Sequence, residues 1–204
     1  MIINLTNRNI DSKIYSKTMS TTSLRRDHDL IDKVIKSMET TIQLLESGKK
    51  IPESILSPVI DFSKNFTDVC HHSKEEKSLF PALEKSGMPT HMGPIAKMLM
   101  EHEVTRKIGN KIEESAYNYF KTDNSTQLIS DMKEYVKHVT EHLWKENNRL
   151  FMMAEARLQN VSQQVNDELN QIEKSKLKEI GKTRDQYEQI AEEFSKKVNQ
   201  ELSG

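Results

Sequence analysis

Two short stretches of this chain share one pattern of residues able to hold a metal. His71-His72-Ser73-Lys74-Glu75-Glu76-Lys77-Ser78-Leu79-Phe80 aligns with His142-Leu143-Trp144-Lys145-Glu146-Asn147-Asn148-Arg149-Leu150-Phe151. Both read His, two variable residues, Lys-Glu, three variable residues, Leu-Phe. A spacing of four places His and Glu one turn apart on the same face of a helix. Each stretch therefore offers an imidazole nitrogen and a carboxylate to a common point. His28 and His102 lie within the apolar stripes of two other helical segments and add one imidazole each. The sum is four imidazoles (His28, His71, His102, His142) and two carboxylates (Glu75, Glu146).

That donor set suits two non-haem iron ions. Two metal cations close together in a low-dielectric core repel strongly, so anionic groups must lie between them. Glu75 and Glu146 can bridge the metals, and neutral imidazoles fill terminal positions, two per iron. Nitrogen and carboxylate donors suit iron better than a soft thiolate set would. With an oxo or hydroxo bridge added, each iron has about five ligands by this coordination logic, leaving a position for a molecule such as dioxygen.

Competing readings are weaker. A single buried His is usually a satisfied core residue, and one His-x-x-x-Glu pair arises often in charged helices. Two copies in a shared context, with two further inward His, make the coincidence hard to sustain. The His-Glu-x-x-His arrangement of zinc enzymes is absent. His28-Asp29 hints at a histidine–aspartate phosphohydrolase, but that fold's other ligands are missing. Helix phase leaves His72 open: the stripe Phe62, Phe66, Val69 projects onto His72 and Glu76, whereas alignment with the second copy favours His71 and Glu75. A local π-type widening would reconcile them. His138, one turn before His142, is a further candidate ligand. Arg106 is placed to neutralise Glu101 or a bridging carboxylate, and Glu76 to orient a ligand imidazole.

The elements that must position these groups are long helices. Thr22 or Ser23 can cap a first helix carrying Leu24, His28, Ile31, Ile35, Met38, Ile42 and Leu45, ended by Gly48. A second runs from Pro52 through Ile55, Val59, Phe62 and His71 to about Leu83. Ser86 to Pro94 is a loop. A third carries Ile95, Met98, Leu99, His102 and Ile112, and a fourth carries Leu128, Met132, Tyr135, Val139, His142, Leu150 and Met153. The expected fold is all-α, an antiparallel four-helix bundle with a C-terminal helical appendage. Residues 1–21 form a flexible arm, 22–156 the bundle and 157–204 a charged tail. The tail's thin stripes, Leu158, Val161, Val165, Leu169, Ile172 and then Tyr187, Ile190, Phe194, Val198, fit two amphipathic helices. These either dock on the bundle or pair with a second copy of the chain, and they supply no ligands.

Composition agrees. Of 204 residues, 35% are hydrophobic and 30% charged, with 6 Gly and 5 Pro, too few turn-formers for a many-stranded β fold. The 30 basic and 31 acidic residues are well mixed, without the basic stripe of a nucleic-acid binder. No apolar run reaches the ~20 residues of a membrane span. The single cysteine, Cys70, precludes an intramolecular disulfide framework and fits a reducing cytoplasm.

The motifs resemble those of the hemerythrin-like, or HHE cation-binding, domains. The similarity covers about Leu24 to Glu155. It rests on Arg26-Asp27-His28, Cys70 through Glu76 to Leu79-Phe80-Pro81, Gly93-Pro94-Ile95, Glu101-His102, and His142 through Lys145-Glu146-Asn147 to Leu150-Phe151. The resemblance implies a four-helix bundle with two non-haem irons that binds dioxygen, nitric oxide or iron, and the six residues match the family's ligand positions. Hemerythrins proper use five His, and four stand at matching positions here. Members that repair iron–sulfur clusters carry a cysteine-bearing N-terminal domain, which this sequence lacks.

Two functions from different classes are open to such a centre: a binder that stores, senses or protects, and an enzyme acting in peroxide removal or iron–sulfur repair. The enzyme needs a proton donor or redox group, and only Tyr135, Tyr15 and Cys70 are available. The inward residues Leu24, Ile31, Leu79, Met98, Leu99, Val139, Leu143 and Leu150 are apolar and favour the gas binder. His91, in the Gly/Pro loop, reads as a surface residue, and Trp144 as packing.

Overall fold

The computed structural model describes residues 19–203. The first helix, α1, spans Thr22–Glu46. The second rod is continuous but changes pitch: α2 (Glu53–Asp61), π-helical turns over Phe62–His72 and Glu75–Leu79, then α3 (Phe80–Lys85). The third is α4 (Gly93–Thr122). The fourth combines α5 (Thr126–Lys145), a π-helical stretch Glu146–Leu150 and α6 (Phe151–Arg157). Two more helices follow, α7 (Ser162–Ile180) and α8 (Arg184–Ser203). There is no strand among the described residues.

The apolar stripe of α1 is buried from Leu24 to Leu45. The helix stops where Gly48 takes a φ of 82°, a left-handed conformation that a side chain resists. Neither Thr22 nor Ser23 caps α1 by its hydroxyl. Thr22 Oγ1 donates back to the Met19 carbonyl, and Ser23 Oγ accepts from Lys74 Nζ. The region expected to be an arm, residues 1–21, falls mostly outside the described residues, as does Tyr15. Its end does not: Ser20 and Thr21 are buried.

The core divides into two apolar clusters, with His28, His71, His72, Glu75, His102, His142 and Glu146 between them. One cluster holds Ile31, Phe66, Cys70, Ile108, Val139 and Leu143. The other holds Leu24, Leu79, Phe80, Met98, Leu150 and Phe151. Along α1 the order is Leu24, His28, Ile31, and along the second rod it is Cys70, His71, Glu75, Leu79. The third and fourth rods run Met98, His102, Ile108 and Leu143, Glu146, Leu150. Successive rods cross the polar layer in opposite senses, which is the antiparallel bundle.

The tail docks on this bundle. Glu168 accepts from Ser78 at 3.0 Å, Glu173 from Lys74 at 2.8 Å, and Lys182 donates to Asp61 at 3.0 Å. So α7 runs antiparallel to the second rod. Gly181, with φ 77°, breaks the helix, and α8 continues alongside α1, pairing Arg184 with Asp27 and Glu192 with Lys33. Tyr187, Ala191, Phe194 and Val198 are buried in the same cluster as Phe62 and Phe66, and the Tyr187 ring lies 5.2 Å from that of Phe66. Burying a side chain of Phe194's size contributes about 1.5–3 kcal/mol. The stripe proposed for α7 is shifted at its ends. Val161 is exposed, and Glu173 is more deeply buried than Ile172.

Candidate metal centre

Each of the four rods delivers its donors to the polar layer. His28 comes from α1 and His102 from α4. His71, His72 and Glu75 come from the second rod, and His142 and Glu146 from the fourth. All seven are buried. The π-helical turns explain the phase of the second rod. Bonding from i to i+5 widens the turn, so the face that holds Phe66 is followed five residues later by His71, with His72 beside it. Val69, projected inward by a regular helix, is only half-buried, while Cys70 is fully buried. The widening brings both histidines inward, where a regular helix would have presented one.

The donor atoms converge into three overlapping groups: His28, His71, Glu75 and Glu146; Glu75, His102, His142 and Glu146; and His72, His102 and His142. His28 Nε2 lies 3.2 Å from His71 Nε2 and 3.2 Å from Glu146 Oε2. His102 Nε2 lies 3.2 Å from Glu75 Oε2, and His142 Nε2 lies 3.4 Å from Glu146 Oε1. Both carboxylates belong to both four-membered groups, the arrangement that two neighbouring cations need.

Every imidazole is held by its other nitrogen. Nδ1 of His28 faces Asn147 Oδ1 at 3.0 Å, that of His71 faces Asp27 at 3.3 Å, and that of His72 faces Asp68 at 3.1 Å. His102 Nδ1 pairs with Glu76 at 2.7 Å and His142 Nδ1 with Glu101 at 3.0 Å. An oxygen acceptor at Nδ1 fixes the proton there and leaves Nε2 with its lone pair toward the layer, the usual setting of a metal-binding histidine. His28 and His71 thereby bring their Nε2 atoms face to face. Both oxygens of Glu75, both of Glu146, and Nε2 of His102 and His142 have no hydrogen-bond partner. Buried groups of this kind normally find partners, and a cation between them satisfies all of them at once. The residues fit a metal pair.

Electrostatics point the same way. Burial opposes charge on His28 and His102, yet Glu146, with Glu75 beside it, raises both imidazoles above their ordinary value. Burial also opposes ionisation of Glu146, but His142, His102 and His28 hold it well below the usual carboxylate range. Without a metal, protons on imidazole neutralise the carboxylates, and a metal takes over that role by displacing them. His72 differs. Burial and the imidazoles of His102, His71 and His142 push it well below its usual value, so it stays neutral. Its ring stacks on His102 with centroids 3.7 Å apart.

The expected six ligand residues are brought together, and His72 joins them as a fifth imidazole, on the second rod. His138 is not brought in: its Nε2 faces the Glu101 carbonyl at 3.0 Å and the Thr105 hydroxyl at 3.1 Å. Glu76 takes its expected place behind His102. Arg106 does not reach Glu101 or a bridging carboxylate; it pairs with Asp68, Glu76 and Glu103. Lys145 and Lys97 pair with Glu101 instead, which with His142 holds its carboxyl down at about 2 against the pull of burial. Cys70 is no thiolate, since burial pushes its thiol up to about 12. The supporting acceptors Asp27, Asp68, Glu101 and Asn147 were missed as such. Only Asp68, one turn before His72, carried a spacing signal.

An antiparallel helical bundle with a buried layer of imidazoles and shared carboxylates is a metal-binding scaffold of the bundle-core type. The family model described as the hemerythrin HHE cation-binding domain matches residues 19–154, and the chain belongs to that family. No curated protein and no solved structure matches it. None of its described helices is long and apolar enough to cross a membrane.

Proposed function

We propose that this chain holds two iron ions in the layer between the apolar clusters and binds a small gas, dioxygen or nitric oxide, rather than turning over a substrate. The observation that carries this reading is that five imidazoles, each held at Nδ1, converge with two otherwise unpartnered carboxylates. Bound there, the irons supply a redox-active pair with an open position for the gas. His28, His71, Glu75 and Glu146 form one position. His102, His142, Glu75 and Glu146, with His72 beside them, form the other. The first would offer one imidazole fewer and so would be the one left open to the exogenous molecule.

The chain's own residues select the kind of molecule that enters. Phe151 stacks on the His28 ring with centroids 4.9 Å apart, and Leu24, Leu79 and Leu150 close the same side of the layer. These walls exclude water and suit a neutral diatomic molecule. They place no acid beside the donors, and delivery of a proton is what oxygen activation needs. Burial makes Tyr135 hold its proton more tightly than a free phenol, against the opposing influence of Ser63 and Thr67.

Stopped-flow mixing of the reduced, iron-loaded chain with dioxygen and, separately, with hydrogen peroxide tests the reading. A reversible charge-transfer band with slow autoxidation is expected. Sustained peroxide consumption over many turnovers, abolished by His102→Ala, would establish an enzyme instead.

A further inference from the structure

The C-terminal helices do more than cover apolar surface. Lys74 lies between the ligands His71 and Glu75 in sequence but turns its side chain away from the layer, where it is completely buried. Its ammonium donates to Ser23 Oγ at 2.6 Å, Asp27 Oδ2 at 2.7 Å and Glu173 Oε2 at 2.8 Å. Asp27 receives Arg184 Nη1 on its other oxygen at 2.7 Å, and Arg184 also reaches Glu173 at 3.4 Å. Two carboxylates and two cations thus form a buried set, joined from its exposed edge by Arg26 on Glu173 at 3.1 Å and Glu188 on Arg184 at 2.9 Å. Asp27 Oδ2 is also the acceptor for His71 Nδ1. None of the other four imidazoles is supported from the tail; their acceptors lie on the four rods.

We infer that Glu173 of α7 and Arg184 of α8 are positioning residues for the His28/His71 metal position, acting through Lys74 and Asp27 on the His71 ring. The inference rests on the proposed metal pair. Lys74 alone would draw Asp27 toward itself and away from His71. Arg184, arriving from the opposite side, holds the carboxylate so that one oxygen faces both Lys74 and His71. Glu173 links Lys74 and Arg184 on the side away from His71, with Arg26 also bonded to it. Helices that give no donor to the metals therefore decide where one donor stands. Changes to such supporting partners typically cost 10–100-fold in metal affinity.

The test uses the full chain loaded with iron. Metal content is measured before and after a fixed exposure to a chelator, for the unaltered chain and for Arg184→Gln, Arg184→Lys and Glu173→Gln. Ile112→Val, a core change away from this set, controls for general loosening. If the unaltered chain does not hold two ions at the outset, the proposed metal pair fails, and this inference with it. If it does, Arg184→Gln is expected to lose one ion at least tenfold faster and keep the other, with Arg184→Lys restoring retention. Comparison with His28→Ala, which cripples the same position, identifies the ion lost. Should Arg184→Gln not fold, the near-isosteric Glu173→Gln decides, with the same selective loss expected. Unchanged retention of both ions, or equal acceleration of both, overturns the positioning role.

Discussion

Two cations stand behind the metal layer in nearly the same arrangement, one dry and one wet. Lys74 ties Asp27 to Glu173, and Asp27 orients His71. Arg106 ties Asp68 to Glu76, which orient His72 and His102. The Lys74 side chain is 0% exposed and that of Arg106 30% exposed. A buried ion set is costly to break because the orphaned charge has no water to turn to. A half-exposed set loses little, because solvent replaces the missing partner. The fold has thus backed the His71 imidazole with a buried support that includes the tail, and those of His72 and His102 with carboxylates near the surface that hold by local pairing.

The layer itself sets the largest expected effect. Glu75 and Glu146 belong to both four-membered groups, so Glu146→Ala should abolish binding of both ions rather than halve it. Metal analysis of the purified variant checks this, and retention of one tightly bound ion would mean that the carboxylates are not shared. The same loss should follow acid: metal retention falls as pH drops through the region where free His protonates, about 6.5, with bound metal shifting the midpoint lower.

The second effect tests the dry side. Lys74→Ala leaves the buried Asp27 with Arg184 as its remaining cation, Arg26 reaching only Glu173, and should cost about 3–5 kcal/mol, the usual cost of breaking a buried pair. Lys74→Met fills the volume but removes the same charge, so it should recover only the packing part. Chemical denaturation of the metal-free chain separates the two. A loss below about 1 kcal/mol for Lys74→Ala, the scale of an exposed pair, would erase the contrast with Arg106.

Much of this was legible in the sequence, and the illegible part has a physical reason. His28, Ile31, Ile35 and Met38 keep one period along α1, so the helix and its inward histidine could be read together. The paired His-x-x-x-Glu stretches are local patterns and survived translation into three dimensions. The second rod resisted because its period changes where the π-helical turns begin; a fixed repeat can assign His71 or His72 to the layer but not both. Asp27 and Lys74 stood in the motifs, but nothing there gave their partners. Their side chains are satisfied by Glu173 and Arg184, some hundred or more positions away, and no periodicity reports a contact of that range. A charged tail with a thin stripe looked like an appendage, because its buried charge, Glu173, sits where a stripe should have been apolar.

The smallest expected effect lies on the wet side, and it is informative because it is small. Arg106 makes three ion pairs, more contacts than most surface arginines, and a contact tally would rank it with Lys74. Solvent reaches it, Asp68 and Glu76 alike, so each pair is screened and each carboxylate can rehydrate when the guanidinium is removed. The bonds from Asp68 to His72 and from Glu76 to His102 do not pass through Arg106, so both imidazoles keep their acceptors. Arg106→Gln is therefore expected to cost no more than about 1 kcal/mol, a shift of about 2–4 °C for a chain of this size, with both ions retained. His138→Gln, whose partners lie on α4 outside the layer, should behave the same way. The comparison sharpens with salt. The unaltered chain and Arg106→Gln should converge in melting temperature as ionic strength rises, whereas the unaltered chain and Lys74→Ala should stay apart, because a dry ion set is screened far less. Loss of an ion from Arg106→Gln would show that the metal layer depends on its surface-facing support as heavily as on the buried one.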